Sequence, residues 1–327
     1  MKLPHRRQFL HLAASAAVLP AVSRIARAQT YPTRPVRVIV PYAAGGPTDI
    51  FARLATQRLG ERLGKQFYVE NIPGGGANIG TGQAAKAKPD GHTVLMTTAS
   101  FVINPSFFEK VPYDPRKDFE PVILAVVSTN VLVVNSSVPA TTVKELIALI
   151  RASPGKYSFA STGVGQSTTL AGESLRLSLG LNIVQVPYNG GGPATAAVVA
   201  GHTPIAIAAL AAAAPHIQAG SLRALAVMNK ARSQGLPDVP TIAEAGYPET
   251  KGDSWVGVFM PARTPKPIIT LLNREIASIL TLADMKDNLP ALGFEPVTNT
   301  PEEFADRIKE DFEAWGKLIR TSHLREK

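Results

Sequence analysis

The sequence predicts an α/β protein of two lobes that are joined by two chain crossings. Its 327 residues suggest about two domains, and a hydrophobic content of 45% supplies each with a core. Strand-like runs alternate with helical patterns, which is typical of largely parallel sheets covered by helices. Long extended runs over residues 122–134 and 255–261 predict the crossings. We therefore expect a first lobe of residues 29–128 plus 254–327 and a second lobe of residues 129–253.

The first 28 residues predict an export signal. Lys2, Arg6 and Arg7 precede an apolar stretch over residues 10–22, and Ala26-Arg27-Ala28 supplies the small-residue cleavage pattern. The stretch is too short for a bilayer-spanning helix. The pair Arg6-Arg7 resembles a twin-arginine signal, and the general secretory route or an uncleaved anchor remain alternatives. We expect an exported chain with no membrane span once the signal is removed.

Apolar periodicity predicts the elements of the first lobe. A helix from residue 47 or 48 to residue 63 follows the first strand, because apolar side chains recur there at helical spacing. A glycine-rich loop over residues 74–82 leads into a short helix. The last helix begins after Thr300, whose hydroxyl caps it. The predicted strands are residues 36–40, 67–70 and 93–97, with the return crossing at 255–261 and a helix over residues 267–280.

The second lobe repeats a unit of strand, loop and helix. Thr142, or alternatively Thr141, caps a helix that runs to Arg151, with Glu145 placed for a capping box. Pro193 opens another helix at its first turn. The remaining predicted elements are strands over residues 157–160, 182–186 and 222–228 and a helix near residues 168–179.

Three loops share one design: a strand runs into glycines and small hydroxyl residues, and a helix then begins. We call residues 42–49 the first loop, 161–168 the second and 188–194 the third. Such loops line the ligand crevice at the carboxyl edge of a parallel sheet. Free amides at the helix start bind anions, and none of the loops contains Lys or Arg. They predict a carboxylate site built from amides and hydroxyls, unless they are only tight connections.

Composition excludes several classes of protein. Cysteine is absent, which removes thiolate metal sites, disulfides and cysteine nucleophiles. The predicted signal holds five basic residues and no acidic one, which leaves 29 basic and 25 acidic residues in the mature chain. That balance does not indicate a nucleic-acid partner. The histidines lack paired metal spacing. Tyr113 and Lys117 mimic a dehydrogenase pair, but Pro115 opposes the required helix. We expect no metal, no cofactor and no enzymatic activity.

An ordered set of motifs resembles one family, the Bug proteins, which are periplasmic substrate-binding proteins of tripartite tricarboxylate transporters. The motifs are Pro41-Tyr42-Ala43-Ala44-Gly45-Gly46-Pro47-Thr48-Asp49, Asn71-Ile72-Pro73-Gly74-Gly75-Gly76, Pro89-Asp90-Gly91-His92-Thr93, Val186-Pro187-Tyr188-Asn189-Gly190-Gly191-Gly192-Pro193 and Leu236-Pro237-Asp238-Val239-Pro240-Thr241. The resemblance implies a Venus-flytrap fold, a periplasmic location, a small carboxylate ligand and membrane permease partners. The ligand would be a dicarboxylate, a tricarboxylate or an aromatic acid.

The resemblance also implies that the ligand carboxylate lies against the first loop and that the other two loops supply the second-lobe contacts. Asp49 is predicted as a helix cap, a ligand contact or both. The predicted ligand-binding residues are Tyr42, Ala43, Ala44, Gly45, Gly46, Thr48, Asp49, Ser100, Ser161, Thr162, Gly163, Ser167, Thr168, Tyr188, Gly190, Gly191, Gly192 and Ala194.

The chain departs from the family pattern at two places. Leu170 stands where many members have His, and residues 205–210 are apolar where many have an acid. We expect residues 205–210 to form an apolar wall of the cleft, which disfavours amino-acid ligands; the alternative is a core strand. Other functions left open are an exported hydrolase or oxidoreductase and a binding partner of a sensor system.

Overall fold

The chain folds around two separate β-sheets. The structure is a computed structural model that describes residues 31–321 except Gly46, Val164, Gly165, Asn189, Gly190, Glu249, Lys251, Asp253 and Leu292. The predicted export signal therefore lies outside the described residues. The α/β class and the two-lobe architecture expected from the sequence are confirmed.

The first sheet has six strands in the order β11-β4-β10-β3-β1-β2. The strands β1, β2 and β3 are mutually parallel, and β10 is antiparallel to both β3 and β4, so β4 runs in the direction of β1. The strands are β1 Val36–Val40, β2 Phe67–Asn71, β3 Thr93–Thr98, β4 Phe119–Ser128, β10 Ser254–Pro261 and β11 Phe294–Pro296.

Helices cover both faces of this sheet. The last of them, α10, buries Phe304, Ile308, Trp315 and Ile319, which recur at helical spacing along one face. Position 80, inside helix α2, requires glycine because a Cβ there would come within 2.6 Å of the Ile72 carbonyl oxygen. The helices are α1 Pro47–Leu63, α2 Asn78–Ala85, α3 Ser100–Phe107, α8 Lys266–Leu280, α9 Ala283–Ala291 and α10 Pro301–Thr321.

The second sheet has five strands in the order β7-β6-β8-β5-β9. Helix α4 begins at Val143 with the predicted capping box, in which the Thr142 hydroxyl accepts from the Glu145 amide. The strands are β5 Asn130–Asn135, β6 Ser158–Ser161, β7 Val184–Pro187, β8 Ile205–Ala209 and β9 Leu222–Val227; the helices are α4 Val143–Ala152, α5 Ser167–Ser178, α6 Gly191–Val199 and α7 Leu210–Gln218.

The expectation that residues 205–210 form a wall of the cleft is wrong. Ile205, Ala206, Ile207 and Ala208 lie in the central strand β8 and are at most 2% exposed. Their side chains alternate between the two hydrophobic cores on either face of the second sheet, as the pleat of a strand requires. The alternative, a core strand, is therefore the observed structure.

Two helix starts also differ slightly from the prediction. Helix α6 begins at Gly191 rather than at Pro193, so Gly191 and Gly192 belong to its first turn. Proline is tolerated there because the first amides of a helix have no partner within it. The glycine-rich stretch after β2 forms a 3₁₀ turn over Gly75–Ala77, and α2 begins immediately at Asn78.

Candidate functional site

The two crossings bring the carboxyl-terminal edges of the two sheets together. Strand β4 ends at Ser128, and after the single residue Thr129 strand β5 begins at Asn130, which pairs with Ala209 at the carboxyl end of β8. The return strand β10 begins at Ser254, which pairs with Ser128. All three predicted loops follow strands that end at these edges. The registers therefore place the loops on opposite sides of one cleft.

In the first loop, the structure assigns Asp49 three hydrogen bonds. Its carboxylate accepts from the Gly45 amide at 2.9 Å, the Arg53 Nε at 3.0 Å and the Asn71 Nδ2 at 2.9 Å. The same Asn71 amide group donates to the Tyr42 carbonyl oxygen at 3.1 Å. These bonds span the loop from one end to the other. Asp49 therefore ties the start of α1 to Gly45 and to the end of β2. The backbone amide that it accepts from precedes the helix, so the predicted role as a cap stays a prediction.

The charge of Asp49 is compensated where it lies. The side chain is 2% exposed, and burial by itself would raise the pKa of the carboxyl. Hydrogen bonds from Arg53, Gly45 and Asn71, with the positive charge of Arg53, outweigh burial and hold the pKa below its usual value. Asp49 is thus ionised at neutral pH and paired with a cation. Its charge is neutralised locally, so an anion beside the loop meets less repulsion.

Four hydroxyl groups cluster where β1 and β3 end. The Tyr42 hydroxyl lies 3.1 Å from Thr97 Oγ1, 2.8 Å from Thr98 Oγ1 and 2.6 Å from Ser100 Oγ. Because one phenol has a single proton to donate, at least two of its neighbours donate to it. Ser100 and Tyr42 are predicted site residues, whereas the sequence analysis did not name Thr97, which is 0% exposed, or Thr98. Two adjacent threonines at the end of a parallel neighbouring strand are the signal that could have found them.

The second loop is held by its own hydroxyl groups. Thr162 and Thr168 are hydrogen-bonded through their Oγ1 atoms. Thr169 accepts from the Thr162 amide at 3.2 Å and donates to the Gly163 carbonyl at 2.7 Å. Gly163 has a φ of 116°, which a residue with a side chain rarely adopts. The structure thus brings Thr162, Gly163 and Thr168 together as predicted.

The third loop adjoins the second. The Tyr188 amide donates to the Ser161 carbonyl at 3.0 Å, and the Tyr188 hydroxyl lies 2.7 Å from Thr203 Oγ1. Gly192, in the first turn of α6, is exposed. Ala194 is fully buried in a core cluster, so its side chain faces the core.

Several predicted residues are placed individually. Ala43, Ala44 and Gly45 are exposed at the edge of the first sheet, and Thr48 lies in the first turn of α1. The predicted contacts Gly46 and Gly190 lie outside the described residues, as does Asp253 beside the return crossing. Trp255, in strand β10, is 1% exposed, and its Nε1 donates to Asp311 at 2.8 Å. It is a core residue.

Within the part of the chain that is described, no group of three or more His, Asp or Glu side chains could hold a metal ion. Tyr113, the mimic of a dehydrogenase tyrosine, is buried and donates to the Phe101 carbonyl at 3.1 Å. None of the helices in the described ranges is long and apolar enough to cross a bilayer.

Comparison with known proteins gives one family. The family described as tripartite tricarboxylate transporter family receptor matches residues 51–324. Protein BugT from Bordetella pertussis is 36% identical over 295 residues, which is 90% of either chain. The structure of R. palustris Rpa4515 with adipate is 34% identical, with a TM-score of 0.81 over 90% of this chain and 98% of that one. The structure of MatC (Rpa3494) from Rhodopseudomonas palustris with bound malate is 31% identical, with a TM-score of 0.78 over 88% and 100%.

Proposed function

The chain belongs to the tripartite tricarboxylate transporter receptor family, and we propose that it captures a small organic carboxylate in the periplasm. It then presents the ligand to the membrane permease subunits of such a transporter. Adipate and malate in two solved relatives, at 34% and 31% identity, support a carboxylate as the ligand class. The predicted export signal supports the periplasmic location.

The proposal rests on one observation: at the crossings, the carboxyl-terminal edges of the two sheets, from which the three loops extend, lie next to each other. Ser128 and Ser254 pair at the carboxyl edge of the first sheet, and Asn130 pairs with Ala209 at that of the second. Each edge presents helix starts with free amides. Amides of this kind bind carboxylates without a cationic side chain. Two such edges joined by crossings can close on a ligand that carries one or two carboxylates.

We assign the site to the predicted residues of the three loops together with Ser100. The first loop supplies exposed backbone at Ala43, Ala44 and Gly45. The buried Asp49 carboxylate contributes indirectly, because its hydrogen bonds to Gly45 and Asn71 hold this loop in place. The second-lobe contacts come from residues 161–168 and 188–194. The lobe boundaries at residues 128–129 and 253–254 are proposed on the same grounds.

Because β8 is a core strand, it gives no reason to disfavour amino-acid ligands. The proposal therefore rests on the carboxylate group and leaves the body of the ligand to experiment. Dicarboxylates, tricarboxylates and aromatic acids remain the proposed classes. The family is one of receptors, and we propose binding without chemical change of the ligand.

A thermal-shift screen tests the function directly. Adipate, malate, citrate, terephthalate and glutamate are added to the purified protein, with adipamide as the neutral match to adipate. A ligand present at 100 times its dissociation constant adds about 2.7 kcal/mol of stability. We expect at least one acid to raise the melting temperature and adipamide to leave it unchanged. NMR of the recovered ligand should show it intact. If no acid raised the melting temperature, or if adipamide raised it as much as adipate, the proposal would be wrong.

A further inference from the structure

Asn130 connects the outgoing crossing, the return crossing and the second loop. It is the first residue of β5 and is 2% exposed. Its side-chain amide donates to the Gly252 carbonyl at 2.6 Å, two residues before β10 begins. The same amide is 3.4 Å from the Ser167 Oγ, a longer contact, at the first residue of α5. One buried side chain therefore touches both chain crossings and one of the predicted ligand loops.

Packing holds the first turn of α5 in the same place. Leu170 is 1% exposed and belongs to a core cluster whose other buried members come from residues 39–124 and 255–319, in the first lobe. A Cβ at Gly252 would come within 2.9 Å of the Ala171 Cβ, so the return crossing lies directly against this helix. The start of α5 thus belongs to the second lobe by sequence and packs on the first.

We propose that Asn130 is a positioning residue that fixes the start of α5, which ends the second loop, at the hinge. The start of α5 is then a preformed part of the site, and the start of α6 supplies most of the movement when the cleft closes. The assignment of these loops to a ligand rests on the function proposed above. The link between Asn130 and α5 is a property of the free protein.

The strand order supports a larger movement at the start of α6 than at the start of α5. From the hinge strand β5, the sheet continues through β8 and β6 to β7, and the third loop follows β7 at the far end. Three strand spacings of about 4.8 Å place β7 roughly 14 Å from β5. A rigid rotation displaces each part in proportion to its distance from the axis. The start of α6, which follows β7, therefore travels farther than the hydrogen-bonded start of α5.

Hydrogen exchange on the free protein tests the link without any ligand. Asn130→Ala removes the amide that joins Gly252 and Ser167. We expect exchange at the Leu170 and Ala171 amides to become at least tenfold faster. The matched control is Asn135→Ala, at the other end of β5, whose amide donates to the Val198 and Val199 carbonyls within the second lobe. In the Asn135→Ala control, hydrogen exchange at the Leu170 amide should stay at the wild-type rate, although the stability of that variant falls.

A double-mutant cycle tests whether Asn130 acts through Ser167. Ser167→Ala removes the hydroxyl from a partly exposed position, so this variant should fold even if Asn130→Ala does not. We expect Asn130→Ala to weaken binding of the best acid from the screen at least tenfold. In the Ser167→Ala background, Asn130→Ala should weaken binding of the same acid by less than a further twofold.

The outcomes separate this inference from the proposed function. Unchanged exchange at Leu170 in Asn130→Ala would overturn the link, whether or not an acid binds. Fully additive losses of affinity would overturn the action through Ser167. Faster exchange in a protein that binds none of the acids would support the link and contradict the function. With ligand present, amides at the start of α6 should gain more protection than Leu170, and the reverse would refute a preformed start of α5.

Discussion

At the scale of single residues, the proposed site would bind its ligand through neutral donors rather than through cationic side chains. Asp49 is the charged residue of the first loop, and its oxygens are occupied by Gly45, Arg53 and Asn71. The sequence indicated a cap at this position. It could not indicate Asn71, which lies 22 residues away and meets Asp49 only because β1 and β2 pair in parallel. The pairing of distant residues is decided by the sheet and not by local pattern.

Gly45 offers a test of backbone geometry in the first loop. Its φ is 82°, and a Cβ there would meet nothing within 4 Å. Gly45→Val should therefore cost about 1–2 kcal/mol of backbone strain, with no steric clash. We expect a folded protein whose affinity for the acid falls at least tenfold, measured by calorimetry.

Gly64 supplies the control for Gly45. It is exposed, has a φ of 70°, and also has open space at the Cβ position, but it follows α1 at the opposite end from the site. Gly64→Val should lose a similar free energy of unfolding and keep the wild-type affinity. Equal affinities in the two variants would remove the first loop from the site.

The lowered pKa of Asp49 predicts a pH dependence of stability. A carboxyl whose folded pKa lies below its unfolded value, about 3.9, stabilises the fold fully above that value. The stabilisation is lost as the pH falls through the folded pKa. Asp49→Asn should thus lower the melting temperature at pH 7, and the difference from wild type should shrink below about pH 4. A difference that stays constant down to pH 3 would contradict this account.

At the scale of elements, local pattern predicted the strands and helices that have strong apolar periodicity or a cap. The boundaries of β1 and α4 follow directly from such signals. Helix α3 was missed because Pro105 interrupts its pattern. Strand β8 was taken for a cleft wall because its alanines suit helix, strand or ligand contact equally, and only the pairing with β5 and β6 decides between them. The short strand β11 has no local signal of its own.

Ile207 tests whether β8 is core or cleft. It is 2% exposed and packs in the core cluster on one face of the second sheet. Ile207→Ala should cost about 2–5 kcal/mol in the free energy of unfolding, and Ile207→Val about 0.5–1.5 kcal/mol. We expect the ratio of adipate to glutamate affinity to stay unchanged in both variants. A changed ratio with unchanged stability would restore β8 as a wall of the cleft.

At the scale of the whole molecule, the crossings determine the direction of the strands. Strands β5 and β10 each enter their sheet from the loop edge, and both run antiparallel to their neighbours. The sequence predicted the crossings as long extended runs, but it predicted largely parallel sheets without this reversal. The reversal follows from the topology: a strand that enters at the carboxyl edge must run opposite to strands that end there.

The route of export can be tested in living cells. Arg6→Lys together with Arg7→Lys should leave the precursor in the cytoplasm if the chain follows the twin-arginine route, because that route requires the arginine pair. Fractionation and immunoblotting measure the periplasmic yield. An unrelated Sec-exported protein in the same cells controls for general export. A normal periplasmic yield of the double variant would show that the general secretory route carries the chain.

Closure of the cleft can be measured because the chain has no cysteine. Ala44, in the first loop, and Gly192, at the start of α6, are both exposed and lie on the two facing edges. Gly192 has open space for a Cβ and no positive φ, so Ala44→Cys with Gly192→Cys should fold normally. A short bis-maleimide should link the pair, and the acid should accelerate the reaction at least threefold by favouring the closed form.

The control pair separates closure from general reactivity of the thiols. Ser136 is exposed just beyond the other end of β5, on the edge that faces away from the crossings. Ala44→Cys with Ser136→Cys should therefore cross-link slowly, with or without the acid. Adding Asn130→Ala to the Ala44–Gly192 pair should leave the cross-linking rate without ligand unchanged. It should reduce the acceleration by ligand, because the start of α5 is no longer held at the hinge. Acceleration of both pairs alike would mean that the acid acts on the thiols and not on the cleft.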